Sequence, residues 1–155
     1  MPDVDLDERD ILILDALQSD GRLSNAELAE RVNLSPSACL RRVNLLMACG
    51  LIAGTHLVLD QKEAGYHGTA YVFITLDGQE REKLDAFEKR IKLVPQIQEC
   101  YLLAGQSDYL LRIVFRDMED LERLHSEVLT RVPGVMRVQS TLTLRTVKRT
   151  TKLPL

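Results

Sequence analysis

SNAELAERVNLSPSACLRRV, residues 24–43, carries two helix starts in quick succession. Ser24 with Glu27 three residues later is a capping box, in which each side chain reaches the other's backbone N–H. It opens a short helix whose Leu28, Ala29 and Val32 face inward. Asn33-Leu34 interrupts that helix, and Ser35-Pro36 starts another, with Ser as N-cap and Pro at the first helical position. The third helix runs to about Cys49, where Gly50 closes it. Upstream, Asp7 to Gln18 reads as a bracing helix with Ile11, Leu14 and Leu17 on one face and acids in its first turn. Two short helices joined by a tight turn and braced by a third make a helix-turn-helix.

At 100° per residue, Leu40, Val43 and Met47 of the third helix are expected on the core side, and Ser37, Ala38, Arg41, Arg42 and Leu45 on the other. A small, hydroxyl-bearing first turn followed by two arginines suits a helix that enters the major groove, where Arg pairs with guanine edges or with phosphate. Leu51 to Leu59 is expected as an extended wing or linker strand.

Charge distribution supports a polyanionic partner better than the net charge of −3 does. Residues 1–60 carry −5 and residues 61–155 carry +2, but the acids of the first part crowd into positions 3 to 30. The 29 residues from Arg31 to Leu59 hold no carboxylate and include Arg31, Arg41, Arg42 and His56, which clears one face of like charge where phosphates approach.

Beyond Asp60 the pattern changes. A connector with Gly65, His67 and Gly68 leads into a strand at Thr69 to Leu76 and a charged amphipathic helix at Gln79 to Val94. A strand at Gln98 to Ala104, a turn at Gly105-Gln106-Ser107 and a strand at Asp108 to Phe115 follow. A helix from Met118 to Val132 and a Pro133-Gly134 turn lead to a last strand at Val135 to Val147. The order β-α-β-β-α-β is that of the ferredoxin-like fold. The predicted class is α+β, with a winged helix-turn-helix at 1–53, a linker strand and connector at 54–67, and a ferredoxin-like domain at 68–155. One sheet face is left without helices, and the alternating Val138, Ser140, Leu142 and Leu144 are a candidate dimer surface as much as a monomer core.

A composition of 45% hydrophobic and 28% charged residues fits a folded domain and not a disordered chain. Apolar runs such as Leu45 to Cys49 are far too short to span a bilayer. The chain opens on Asp3, Asp5, Asp7 and Glu8 rather than the basic start of a signal peptide, so a cytoplasmic location without membrane contact is expected. Cys39, Cys49 and Cys100 form no C-x-x-C pair, and His56, His67 and His125 have no ligand spacing, so neither a zinc knuckle nor another metal site is expected. Gly105-x-Ser107 lacks the second Gly of a nucleophile elbow, since Tyr109 stands there. Asp117, Glu119, Asp120 and Glu122 read as an acidic helix start. With no P-loop, no G-x-G-x-x-G and no convergent acid–base set, no enzymatic activity and no cofactor are expected. Cys39, near the core side of its helix, reads as a small hydrophobe, with redox sensing as the minor alternative.

The residues resemble a known family. Asp7-x-x-Asp10-x-x-Ile13-Leu14-x-x-Leu17-Gln18-x-Asp20-Gly21-Arg22 and Leu28-Ala29-x-Arg31-Val32-x-Leu34-Ser35-Pro36-Ser37-x-Cys39-Leu40-x-Arg42-Val43 are similar to the opening of the Lrp/AsnC (feast/famine) transcription regulators. Ile97-Gln98-Glu99-Cys100, Ala104 to Leu111 and Val132-Pro133-Gly134-Val135 resemble the same family's amino-acid-sensing domain. The likeness implies a regulator that binds double-stranded DNA and assembles as homodimers into tetramers, octamers or larger discs. It also implies a small effector, usually an amino acid, held between dimers. Carried onto this chain, it points to Ser35, Ser37, Ala38, Arg41, Arg42 and Asn44 for DNA, and to Ala104, Gly105, Gln106, Ser107 and Asp108 with Thr141 and Thr143 for the effector. Gly105 would let the Gln106 and Ser107 N–H groups meet a carboxylate, and Asp108 would face the ammonium. The chain departs from the family in two respects: Asn44, Leu45 and Met47 stand where members place basic residues and an acid, and Gln106 stands where many have an acid. The alternative function is an amino-acid-binding assembly protein whose helical domain has lost DNA binding, which the −5 balance of residues 1–60 would suit.

Overall fold

The computed structural model describes residues 5–155, and they form two compact units. One takes in the residues up to Val58 together with Lys148–Leu155; the other is Leu59–Val147. Lys148–Leu155, which follow the last strand in sequence, pack with the helical unit.

The helical unit contains α1 (Glu8–Ser19), α2 (Asn25–Arg31) and α3 (Pro36–Ala48). Asp7 caps α1 and forms a capping box with Asp10; Ser24 and Glu27 do the same for α2. The core joins Ile13, Leu14 and Ala16 of α1, Leu28, Ala29 and Val32, and Cys39 and Leu46 of α3, with Leu17, Val43 and Ile52 packed at its edge. Two expected faces are corrected. On α1 the fully buried residue is Ile13, and Ile11 is only half-buried. On α3 the inward stripe is Cys39, Val43 and Leu46 (i, i+4, i+7), whereas Leu40 and Met47 are 48% and 51% exposed. Both stripes satisfy helical spacing, and α1 and α2 select the one carrying the buried thiol. The expected wing at Leu51 to Leu59 forms no strand: Ile52 returns to the core, its N–H donating to the Leu46 carbonyl, and Leu57, Val58 and Leu59 lie exposed.

The second unit is a four-stranded antiparallel sheet of β1 (Gly68–Leu76), β2 (Ile97–Leu102), β3 (Tyr109–Phe115) and β4 (Val135–Leu142) in the order β2-β3-β1-β4, with α4 (Arg81–Ile91) and α5 (Met118–Arg123). This is the expected ferredoxin-like order, and the whole is α+β. Ala70, Val72, Ile74 and Leu76 alternate inward from β1 and pack with Leu111 and Ile113 of β3, Phe87 and Ile91 of α4, and Leu121. Each buried Val, Leu, Ile or Phe among them contributes about 1.5–3 kcal/mol relative to exposure. Phe87 lies on Tyr109 with ring centroids 4.5 Å apart. Gly68 is required by packing, because a Cβ there would enter the Phe115 ring.

The helix expected over Met118 to Val132 is α only to Arg123; a π turn (Leu124–Val128) and a 3-10 turn (Leu129–Arg131) complete it. β4 ends at Leu142 rather than Val147. Its register decides between the two roles expected for its apolar stripe, in favour of the monomer's own core side. Val138, Ser140 and Leu142 stand opposite Ile74, Val72 and Ala70, on the helix-covered side, while Leu144 lies beyond the strand. The open side carries Tyr71 and Phe73 of β1, Leu110 and Arg112 of β3, and Glu99 and Tyr101 of β2. There Arg112 Nε donates to Glu99 Oε1 at 2.6 Å, and the Tyr101 hydroxyl donates to Glu99 Oε2 at 3.1 Å.

Candidate nucleic-acid interface and effector loop

Asn33 adopts the left-handed conformation (φ 54°), which Asn tolerates better than most residues, and so turns the chain from α2 into α3. The Leu34 N–H donates to the Ala29 carbonyl at 2.9 Å, closing the turn. The Asn25 side-chain amide donates to the Pro36 carbonyl at 2.8 Å and ties the start of α2 to the start of α3. Ser35 caps α3, its hydroxyl accepting from the Ala38 N–H at 3.3 Å and lying 3.2 Å from the Ser37 hydroxyl.

The outward face of α3 is built from these constraints. With Cys39, Val43 and Leu46 inward, the 100° step turns Ser37, Arg41 and Asn44 to the opposite side, and all three are exposed. Ala38 is half-buried at the edge. Arg41 makes no ion pair among the described residues. Arg42 is placed differently: its Nη1 donates to Asp7 Oδ2 at 2.7 Å and to Asp10 Oδ1 at 2.8 Å. The same contacts raise its pKa, the Asp10 bond most, and hold the Asp7 carboxyl below its ordinary value, chiefly through the Asp10 N–H and then through Arg42. Two arginines adjacent in sequence thus do different work. The acids that engage Arg42 stand 35 and 32 residues upstream, and the fixed side of α3 is what makes them its partners. The carboxylate-free run from Arg31 to Leu59 remains, but Asp7 and Asp10 enter α3's surroundings from α1. The burial of Cys39 pushes its thiol pKa up, which makes it a poorer thiolate and favours the hydrophobe over the redox sensor.

In the sheet unit, Ala104, Gly105 and Gln106 are exposed and Ser107 is half-buried in the bend between β2 and β3. Gly105 has no left-handed backbone and open space around it, so the bend does not depend on its conformational freedom. Asp108 is only 5% exposed. Its Oδ2 accepts from the Leu76 N–H at 2.7 Å, and its Oδ1 accepts from the Gln79 side-chain amide at 2.6 Å. Its own N–H donates to the Ile74 carbonyl, and its carbonyl accepts from the Leu103 N–H, both at 2.8 Å. Asp108 therefore fastens the base of the loop to the end of β1. Gln79, which sequence reasoning passed over, holds the second carboxylate oxygen; only the chain reversal after Leu76 brings it there. Thr141 stands opposite Tyr71, and the Thr143 N–H donates to the Thr69 carbonyl at 3.0 Å. Tyr109, next to the loop, pairs with Ile74, so within one chain the two threonines and the loop lie toward opposite ends of β1. Burial and its hydroxyl bond to Glu88 Oε1 (3.0 Å) raise the Tyr109 pKa, fixing it as a neutral donor beneath the loop.

Among the described residues no three His, Cys, Asp or Glu side chains gather to hold a metal ion, and no helix is long and apolar enough to cross a membrane.

A profile described as the Lrp/AsnC ligand binding domain matches residues 69–153, and one described as a winged helix-turn-helix DNA-binding domain matches residues 6–53. Transcriptional regulator AzlB of Bacillus subtilis (strain 168) is 39% identical over 150 residues, covering 97% of this chain and 96% of AzlB. The leucine-responsive regulatory protein of Escherichia coli (strain K12) is 38% identical over 152 residues, covering 98% of this chain and 93% of its own. The crystal structure of the transcriptional regulator NMB0573 of Neisseria meningitidis in complex with L-Met superposes with a TM-score of 0.92 at 35% identity, covering 96% of each chain.

Proposed function

This chain belongs to the Lrp/AsnC family of transcriptional regulators, and we propose that it binds double-stranded DNA through the outward face of α3 and takes an amino acid as effector at the loop Ala104–Asp108. The observation that carries the DNA reading is the exposed row Ser37, Arg41 and Asn44 on a helix whose other side is locked into a three-helix core. A side chain such as Arg41, exposed and without an acidic partner among the described residues, is free for a guanine edge or a phosphate. Ser35 and Ala38 start the helix that presents the row, and Arg42 steadies it against α1.

The effector reading is supported by the L-Met complex of the Neisseria relative and by a loop whose base is held rigidly through Asp108 while Gly105 and Gln106 stay exposed. Asp108 acts in this reading as a positioning residue, because both of its oxygens are already engaged. Since Thr141 and Thr143 are remote from the loop in one chain, their contribution comes from a neighbouring subunit. Homodimers assembling to tetramers, octamers or larger rings supply that neighbour, and the open sheet side with Tyr71, Phe73, Leu110 and Tyr101 is the surface for self-association. The protein works in the cytoplasm, where it regulates transcription and catalyses no reaction.

A gel shift with the chain's own upstream DNA at two salt concentrations tests the DNA reading. The parent shifts the duplex and loses binding steeply as salt rises; Arg41→Ala abolishes the shift without changing particle size. A parent that shifts no duplex leaves the alternative, an amino-acid-binding assembly protein without DNA binding. Melting in the presence of each of the twenty amino acids tests the effector: at least one raises the melting temperature, and no response to any removes the amino-acid reading.

A further inference from the structure

We propose that Lys148 and Arg149, carried on the strap Lys148–Leu155, are a second phosphate-contacting element of the DNA-binding unit in addition to α3. The proposal rests on the DNA-binding reading above and extends it.

The strap is seated on α1 by matched contacts. The Gln18 side-chain amide pairs with Leu153 in both directions, its Oε1 accepting from the Leu153 N–H at 2.7 Å and its Nε2 donating to the Leu153 carbonyl at 3.1 Å. Lys152 Nζ lies 2.6 Å from Asp15 Oδ1 and donates to the Ser19 hydroxyl at 3.0 Å. Asp15, Gln18 and Ser19 form one stripe at i, i+3 and i+4. α1 has no basic residue in its last turn, so Lys152 supplies the cation that the negative end of a helix favours. The seat holds the strap inside the helical unit although it follows β4 in sequence.

The charge pattern of the strap then has a direction. From Val128 to Leu155 the chain holds six basic residues and no Asp or Glu. Lys152 is consumed by the seat, whereas Lys148 and Arg149 are exposed and make no ion pair among the described residues. Up to Val58 the same unit carries nine acids against five arginines. α3 itself has two basic residues, of which Arg42 is engaged by Asp7 and Asp10, and it continues with Asn44, Leu45 and Met47. A helix so short of cations needs backbone neutralisation from elsewhere, and the strap brings two unpaired cations to its unit. Duplex DNA is the occupant chosen because the strap is part of the unit that presents the helix-turn-helix; phosphate contacts position such a unit without reading sequence.

The test uses the full chain with Lys148→Gln and Arg149→Gln together. Binding to a labelled duplex is titrated between about 50 and about 200 mM salt, the range over which phosphate contacts dominate. The slope of log affinity against log salt becomes shallower by about two for each helical unit bound, at about 0.9 per phosphate contact, and affinity falls on unrelated duplexes as well. A matched pair on α4, Lys89→Gln with Arg90→Gln, removes the same charge from exposed positions of the other unit and leaves the slope unchanged. If the parent binds DNA and the strap variant keeps the parental slope, the strap makes no contact and α3 alone carries binding. If the α4 pair flattens the slope equally, net charge explains the effect and the proposal is overturned. It is also overturned if the strap variant keeps the slope but scatters as a smaller particle, which would assign these cations to a second copy of the chain. A parent that binds no duplex ends the DNA reading and this proposal with it.

Discussion

Arg42 of α3 donates its Nη1 to Asp10 of α1 at 2.8 Å, so the second arginine of the pair Arg41-Arg42 is a brace between helices while the first is exposed. The division follows from the helical step. One residue of advance turns a side chain by 100°, enough to carry Arg42 from the solvent side of α3 to the edge of its core stripe.

Arg41→Ala and Arg42→Ala therefore separate into different phenotypes. Arg41→Ala removes DNA binding in a gel shift and leaves the melting temperature of the parent. Arg42→Ala lowers the melting temperature, because it leaves Asp7 and the half-buried Asp10 facing each other without a cation. Equal melting temperatures for the two variants would sink this division.

The same brace makes the helical unit sensitive to acid. Asp7 holds its proton less tightly in the fold than in the unfolded chain, where its ordinary value is 3.8. Its contribution is thus complete above the ordinary carboxylate range and is lost as pH falls through the lowered value. Thermal melting followed by circular dichroism across the acid range should show a shallower acid limb for Asp7→Asn than for the parent; identical limbs would contradict the assignment.

Core and rim of α3 can be told apart by truncation. Leu46→Ala, at 4% exposure, costs about 2–5 kcal/mol in denaturant unfolding. Leu40→Ala, at 48% exposure, stays within about 0.5 kcal/mol of the parent. The reverse ranking would restore the inward face expected from the sequence.

Asp108→Ala destabilises the sheet unit by about 1–3 kcal/mol with no effector present, since it strands the buried Leu76 N–H and the Gln79 amide. The variant also loses the melting response to amino acids through displacement of the loop. A protein that melts like the parent but no longer responds would make Asp108 a direct ligand instead of a strut.

Local chemistry in the sequence determined the elements and their order. The capping box at Ser24, the cap at Ser35 with Pro36 behind it, the acidic first turn of α1 and the β-rich run from Thr69 to Leu76 each depend on neighbours a few residues away, so they were legible before any contact was known. The β-α-β-β-α-β order and the outward turn of Ser37 and Arg41 followed from them. Only the tertiary structure decided which of two apolar stripes on α3 faces inward, because Leu40–Val43–Met47 and Cys39–Val43–Leu46 satisfy the same period and differ only in what α1 and α2 present. It alone paired Arg42 with Asp7 and Asp10, Asp108 with Gln79, and Gln18 with Leu153, contacts that bridge 29 to 135 residues and leave no local trace. It likewise decided which face of β4 looks toward the helices: a strand's period of two marks two faces, and only its register on β1 says which is which.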